Sequence, residues 1–191
     1  YVAKYNSSGA YQWAFKVGNT DWDLGLGIAK DASDNIYITG YFGGTTDFDP
    51  GAGTANLTSG GLEDIFVAKY NSSGAYLWAF NIGSVNSDIG YSLSLDGSGN
   101  VLVTGEFMGT ADFDPGAGTS NLTSAGVEDI FVAKYNSSGV YQWAFKIGST
   151  GYDVGWEIAA DPAGNVNITG QFIGTTDFDP GAGVASLTSA G

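Results

Sequence analysis

The chain has no cysteine, no histidine and no arginine, and only one methionine and four prolines in 191 residues. Without cysteine there can be no disulfide and no thiolate metal site, and redox chemistry gives no clue to the compartment. Without histidine the commonest general base and the commonest transition-metal ligand are both missing. Positive charge is scarce as well: 6 lysines stand against 20 acidic residues, a formal net charge of −14. Such a surface repels phosphate, and no basic stripe exists that could release counterions, so neither nucleic acid nor an anionic membrane surface is an expected partner. No apolar run is long enough to span a bilayer, and no membrane insertion is expected. At its plainest, the excess acid keeps an aromatic-rich protein in solution.

Glycine and aromatics are plentiful: 31 Gly, 11 Tyr, 11 Phe and 5 Trp. That composition argues against disorder and for an all-β chain with many turns. The length suits a single region, 1–191, with a real core. The sequence opens at Tyr1 without an initiator methionine and stops inside a repeat, so it reads as a fragment or a processed piece.

Self-similarity decides the fold class. Val-Ala-Lys-Tyr-Asn-Ser-Ser-Gly at 2–9 returns at 67–74 and 132–139, a spacing of 65 residues each time. Asp-Phe-Asp-Pro-Gly-Ala-Gly at 47–53 returns at 112–118 and 177–183. The repeats are taken as 1–66, 67–131 and 132–191. Within a unit, apolar residues alternate with period two between turn-forming clusters. Ile65, Val67 and Lys69 alternate with Phe66, Ala68 and Tyr70. Tyr76, Trp78, Phe80 and Ile82 are assigned to one face, opposite Leu77, Ala79 and Asn81. Tyr91, Leu93 and Leu95 alternate with Ser92 and Ser94. Val101, Val103, Gly105 and Phe107 oppose Leu102, Thr104 and Glu106. Residues 108–128 form a Gly- and Asp-rich excursion.

Four short strands with apolar positions on both faces are what a β-propeller blade requires, because each blade lies between two others. A β-solenoid has far shorter turns, and a unit this small cannot close a two-sheet sandwich. The expectation is an all-β partial or open propeller of four-stranded antiparallel blades. Complete blades should cover about 22–83 and 87–148, with half-blades at 1–18 and 152–191. Three blades are too few to close a ring, so further repeats or self-association are expected to complete one.

The segment Asp-Ile-Phe-Val-Ala-Lys-Tyr-Asn-Ser-Ser-Gly at 64–74, with Trp78, Gly-Tyr-Ser at 90–92 and Gly-Asn-Val-Leu-Val-Thr-Gly at 99–105, resembles the bacterial SBBP β-propeller repeat. The resemblance covers the whole chain. It implies a propeller, an extracellular or cell-surface setting, and no shared catalytic residues.

Several residues invite a chemical reading. The pairs Asp47 and Asp49, Asp112 and Asp114, and Asp177 and Asp179 suit either a calcium loop or a turn in which Asp bonds amides and Phe48 plugs the core. Lys4, Lys69 and Lys134 read as anion-binding or Schiff-base groups, or as charges guarding a strand edge. Trp13, Trp78 and Trp143 read as sugar platforms or as inter-blade core. The units differ most at 19–30, 84–95 and 149–160, where Trp22, Val85, Asn86, Tyr152 and Trp156 mark one rim, free either to drift or to bind. Acids recurring in every unit suggest a structural task, whereas an active site is normally assembled once. No catalytic, cofactor-binding or metal residue is assigned, and no cofactor is expected. The chain reads as a non-enzymatic scaffold or binding module for an unknown protein or glycan. A carbohydrate-binding or carbohydrate-active domain using rim acids and aromatics is the alternative.

Overall fold

The computed structural model describes residues 1–190, and among them every regular element is a strand. The first sheet, half-blade I, pairs β1 (Val2–Tyr5) with β2 (Tyr11–Phe15). Blade II is built from β3 (Asp23–Lys30), β4 (Ile36–Phe42), β7 (Asp64–Tyr70) and β8 (Tyr76–Ile82), in that spatial order. Between its second and third strands runs a hairpin, β5 (Thr45–Asp47) and β6 (Asn56–Thr58). Blade III repeats the plan with β9 (Ile89–Leu95), β10 (Val101–Phe107), β13 (Asp129–Tyr135) and β14 (Tyr141–Ile147), and with the hairpin β11 (Thr110–Asp112) and β12 (Asn121–Thr123). Half-blade IV pairs β15 (Val154–Ala160) with β16 (Val166–Gln171), followed by the hairpin β17 (Thr175–Asp177) and β18 (Ser186–Thr188). All these pairings are antiparallel. The excursion at 108–128 is thus partly regular, since it contains β11 and β12.

Each strand connection is fixed by its own turn chemistry. The Asn71 side chain accepts the amides of Ser73 and Ala75 at 2.9 and 3.0 Å, while Gly74 takes φ +84°. This is the local bonding that favours Asn and Gly in tight turns.

The blades stack face to face, and the alternation sets what meets what. One face of blade II presents Tyr37, Ile65, Val67 and Phe80, and the opposing face of blade III presents Val101, Val103, Phe131 and Tyr135 in a single cluster. The same arrangement joins half-blade I to blade II through Val2, Phe15, Ile38 and Phe66. It joins blade III to half-blade IV through Leu102, Val132 and Ile158. Trp13, Trp78 and Trp143 are half-buried members of these junctions. The Trp78 ring stacks on Phe80 at 5.6 Å and lies against Gly139 of the next blade.

Two expected faces are corrected by β-bulges, which insert one residue and reverse the alternation beyond it. Tyr70 pairs with Tyr76 while Lys69 pairs with Trp78, so Leu77 is the extra residue. Tyr76 therefore packs with Tyr70 in the junction to half-blade I, away from Trp78 and Phe80. On the innermost strand Gly105 pairs with Gly90 and Thr104 with Ser92, leaving Tyr91 as the extra residue. Its hydroxyl reaches Glu106 instead of following Leu93. Gly105 permits this close crossing, because a Cβ there would lie 1.9 Å from the Ile89 carbonyl oxygen.

Candidate functional site

The repeated Asp-Phe-Asp-Pro-Gly loops use their carboxylates internally. Asp47 accepts the amides of Asp49 and Ala55 at 3.0 and 2.8 Å, and Asp49 accepts that of Gly51 at 2.8 Å. Asp112 and Asp114 repeat these bonds to Asp114, Ser120 and Gly116, as do Asp177 and Asp179 to Asp179, Ala185 and Gly181. The Ala55 and Asp49 amides hold the Asp47 carboxyl below its ordinary range. Phe48 and Phe113 are fully buried, and their carbonyls accept the hydroxyls of Tyr70 and Tyr135 at 2.9 Å. The oxygens thus close turns, and among the described residues no three His, Cys, Asp or Glu side chains gather as a metal site.

Two of the three lysines do not guard an edge, whereas Lys4 stands on β1, which is paired on one side only. Lys69 and Lys134 lie on third strands that are paired on both sides. The Lys134 ammonium meets Asp96 at 2.8 Å. Burial opposes ionisation of Asp96, yet Lys134 and the Asn100 and Ser98 donors hold it well below the carboxylate range. Lys69 sits over the Tyr37 ring and donates to the Ser137 carbonyl of the next blade at 3.2 Å, as Lys4 does to Ser72 at 3.1 Å. The Lys69 and Lys4 bonds are inter-blade ties, and the Lys134 pair lies within blade III.

The variable rim is more distinctive. Asp23, Asp88 and Asp153 open the innermost strands or immediately precede them, and each carboxylate accepts an amide of the incoming connection, that of Asn19 in the case of Asp23. Asp88 holds Ser84 and Met108, and Asp153 holds Ser149 and Ile173 at 2.7 and 2.8 Å. On this fixed frame stand the residues in which the units differ. Trp22 and Val85 are 73% and 78% exposed, and Asn86 bonds the Met108 carbonyl at 3.3 Å.

Between blade III and half-blade IV the rim gathers Tyr91, Glu106, Glu128, Tyr152, Trp156 and Glu157. Tyr91 and Trp156 are the bulge residues of successive innermost strands, and their rings meet at 4.5 Å. Trp156 remains 44% exposed. Glu157 accepts the Ser92 hydroxyl at 2.7 Å across the junction. Glu106 is only 5% exposed; Tyr91 donates to its Oε1 at 3.2 Å, and its Oε2 is buried without a partner. Burial, reinforced by the charge of Glu128, pushes the Glu106 carboxyl up to about 7 despite the Tyr91 and Tyr152 phenols that favour its charge. Glu128 is raised by burial too, and its Oε2 is also unpartnered. At the equivalent positions of the preceding junction stand Leu26, Tyr41, Glu63, Ser87, Tyr91 and Ser92, so the constellation occurs once in this chain.

Of the residues singled out in the sequence, the rim unites Tyr152 and Trp156, while the Asp loops, lysines and inter-blade tryptophans take part in turns, ion pairs and blade-to-blade packing. Glu106, Glu128 and Tyr91 were not singled out. The available signal was Glu106 itself, an acid in a strand that is otherwise almost wholly apolar.

No family model matches the chain. Over 197 aligned residues, 90% of the chain, it is 30% identical to an uncharacterized WD repeat-containing protein of Acanthamoeba polyphaga mimivirus. Over 134 residues, 68% of the chain, it is 28% identical to the regulatory protein FlaEY of Caulobacter vibrioides. The chain spans 14% of the length of each relative. With the stacked four-stranded sheets, these likenesses make the chain a repeat protein of the β-propeller-like kind.

Proposed function

We propose that the chain is a non-catalytic binding module, a rigid stack of blades in an exported or cell-surface protein, of the SBBP repeat type. The observation that carries the reading is the single acidic and aromatic rim at Tyr91, Glu106, Tyr152 and Trp156, set on a frame whose other polar groups serve the fold. Conserving the frame while varying one rim is how repeat scaffolds acquire binding surfaces. The likeness to a WD repeat-containing protein supports the same reading. Catalysis is disfavoured by access, since a general acid must touch its substrate and the free oxygen of Glu106 is enclosed.

A photo-crosslinking residue at Tyr152 should capture a discrete protein in cells that make the protein, and protease treatment of intact cells should remove the epitope. Glycan binding is the second reading, favoured by the exposed Trp156 ring beside carboxyls. Glycan-array binding that Trp156→Ala abolishes would select it. Hydrolysis of a glycan that Glu106→Gln abolishes would overturn the non-catalytic reading.

A further inference from the structure

The variable rim holds a row of apolar side chains out in water. Trp22, Leu62, Val85, Val127 and Ile173 are between 49% and 78% exposed, and all stand where innermost and third strands begin or a second strand has ended. Backbone bonds knit their segments together. Gly43 donates to the Trp22 carbonyl at 3.1 Å, Leu62 to that of Asn86 at 3.1 Å, and Val127 to that of Gly151 at 3.3 Å. Gly43 also lies against the Leu62 carbonyl and Gly61 against the Val85 backbone, so Trp22, Leu62 and Val85 adjoin. Scattered apolar residues on a surface need no explanation, but a row of them along one edge marks a contact surface.

Charge divides the two rims. At the opposite rim lysines answer the turn carboxylates: Lys30 meets Asp34 at 2.6 Å, Lys134 meets Asp96 at 2.8 Å, and Lys69 stands 3.9 Å from Asp31. At the variable rim Lys146 is taken by Asp129, and Asp21, Asp23 and Glu63 have no ion pair among the described residues. Asp21 is exposed beside Trp22, and Glu63 is half-buried beside Leu62. Unanswered negative charge along an apolar row disfavours the same rim of a second copy and an anionic lipid surface, and it complements a cationic partner.

We propose that the variable rim docks a basic amphipathic helix of a protein partner, with its apolar face on Trp22, Leu62 and Val85 and its cationic side chains beside Asp21 and Glu63. This rests on the binding-module reading and names the class of partner. Face-to-face sheets lie about 10 Å apart, and two turns of helix advance about 11 Å. Apolar residues seven apart on a helix therefore reach Leu62 on blade II and its counterpart Val127 on blade III. An apolar helix face supplies the burial, and the flanking charges set its orientation. Every group named is exposed or half-buried, so the contact needs no opening of the fold.

The test uses the 191-residue chain and a labelled helical peptide of about 15 residues, built from leucine on one face and lysine on the other, followed by fluorescence anisotropy. One control has glutamate in place of lysine; another has the same composition scrambled so that no face is apolar. The amphipathic peptide should bind saturably, the glutamate peptide should not bind, and the scrambled one should bind about tenfold more weakly or worse. Leu62→Asn with Val85→Asn should weaken binding about tenfold or more. Val140→Asn, at an exposed turn of the opposite rim, should leave it unchanged. These positions are exposed, and unaltered melting of the variants confirms that only the surface has changed. Absence of saturation, equal binding of the scrambled peptide, or undiminished binding by the Leu62 and Val85 double variant overturns the proposal. If the peptide fails while Tyr152 crosslinking still captures a protein, only this partner class falls and the binding-module reading stands.

Discussion

Glu106 occupies a position that is Tyr41 in the preceding unit and Gln171 in the following one, so the fold itself tolerates neutral side chains there. Its carboxyl, ordinarily near 4.5 and raised to about 7 by burial, resists ionisation in the folded chain more than in the unfolded one. The stability linked to this group is therefore fully present below about pH 4.5 and is lost as pH rises through about 7. A displacement of that size corresponds to ~3 kcal/mol or slightly more. Glu106→Gln should leave urea stability nearly unchanged at pH 4.5 and raise it by up to ~3 kcal/mol at pH 8.5. Equal gains at both pH values would show that packing, not charge, sets the difference. A second residue-scale comparison is internal. Asp129 is paired with Lys146, whereas in blade II Asp64 has Asn81, whose side-chain amide donates at 2.7 Å. Burial raises the Asp64 carboxyl, and its Oδ1 is unpartnered. Lys146→Met strands a buried carboxylate and should cost ~3 kcal/mol. Lys146→Asn reproduces the blade II solution and should cost no more than ~1–1.5 kcal/mol. Urea denaturation of the two variants at pH 7 checks the ordering, and equal losses would contradict it.

At the level of the element, the sequence revealed most of what period-two alternation can carry. The strands of blade III and their turns follow from Val101, Val103 and Phe107 alternating with Leu102, Thr104 and Glu106, because each face needs its own apolar set. What stayed hidden was the bulges. Tyr76 and Tyr91 look like members of their strands' apolar rows, yet one unpaired residue turns each to the other face. A bulge is a property of the pairing between two strands, and neither strand announces it alone. The same limit hid the rim site: Glu106 has Tyr152 from the next unit as a neighbour, a contact that no local pattern encodes. The inter-blade tryptophans were legible because aromatic rows on both faces need partners. Trp78 contacts Tyr37, Phe80 and Gly139, but as a half-buried ring it should cost less than a core tryptophan when removed. Trp78→Ala is expected to lose ~3 kcal/mol, at the low end for such truncations. A loss below about 1 kcal/mol in chemical denaturation would place the ring outside the junction that stabilises the stack.

The scale of the whole molecule is set by junctions, because each blade hides its apolar faces only against a neighbour. In the 191-residue chain, β1 pairs with β2 alone and β16 with β15 alone among the described residues. Beside β1 a cleft of about 460 Å³ is bordered by Val2, Tyr5, Leu26, Ile28 and Ile38, with Tyr5 60% and Ile28 64% exposed. In blades II and III the equivalent space beside the third strand is filled by the second and innermost strands. The register there is constant: Ile36 faces Tyr70 and Ile38 faces Ala68, and Val101 faces Tyr135 and Val103 faces Ala133. The same spacing would set Val166 of one copy opposite Tyr5 of another, and Ile168 opposite Ala3. β15 and β16 of a second copy are therefore the fitting occupant, and the free strand edges and uncovered aromatics favour that pairing over exposure to water. Prepared by itself, the chain should form dimers or larger assemblies by light scattering. Ile28→Lys, which places a charge in the cleft, should shift the population toward monomer. A monodisperse species near 19.7 kDa for the unaltered chain would show that these blades leave their edges open in solution.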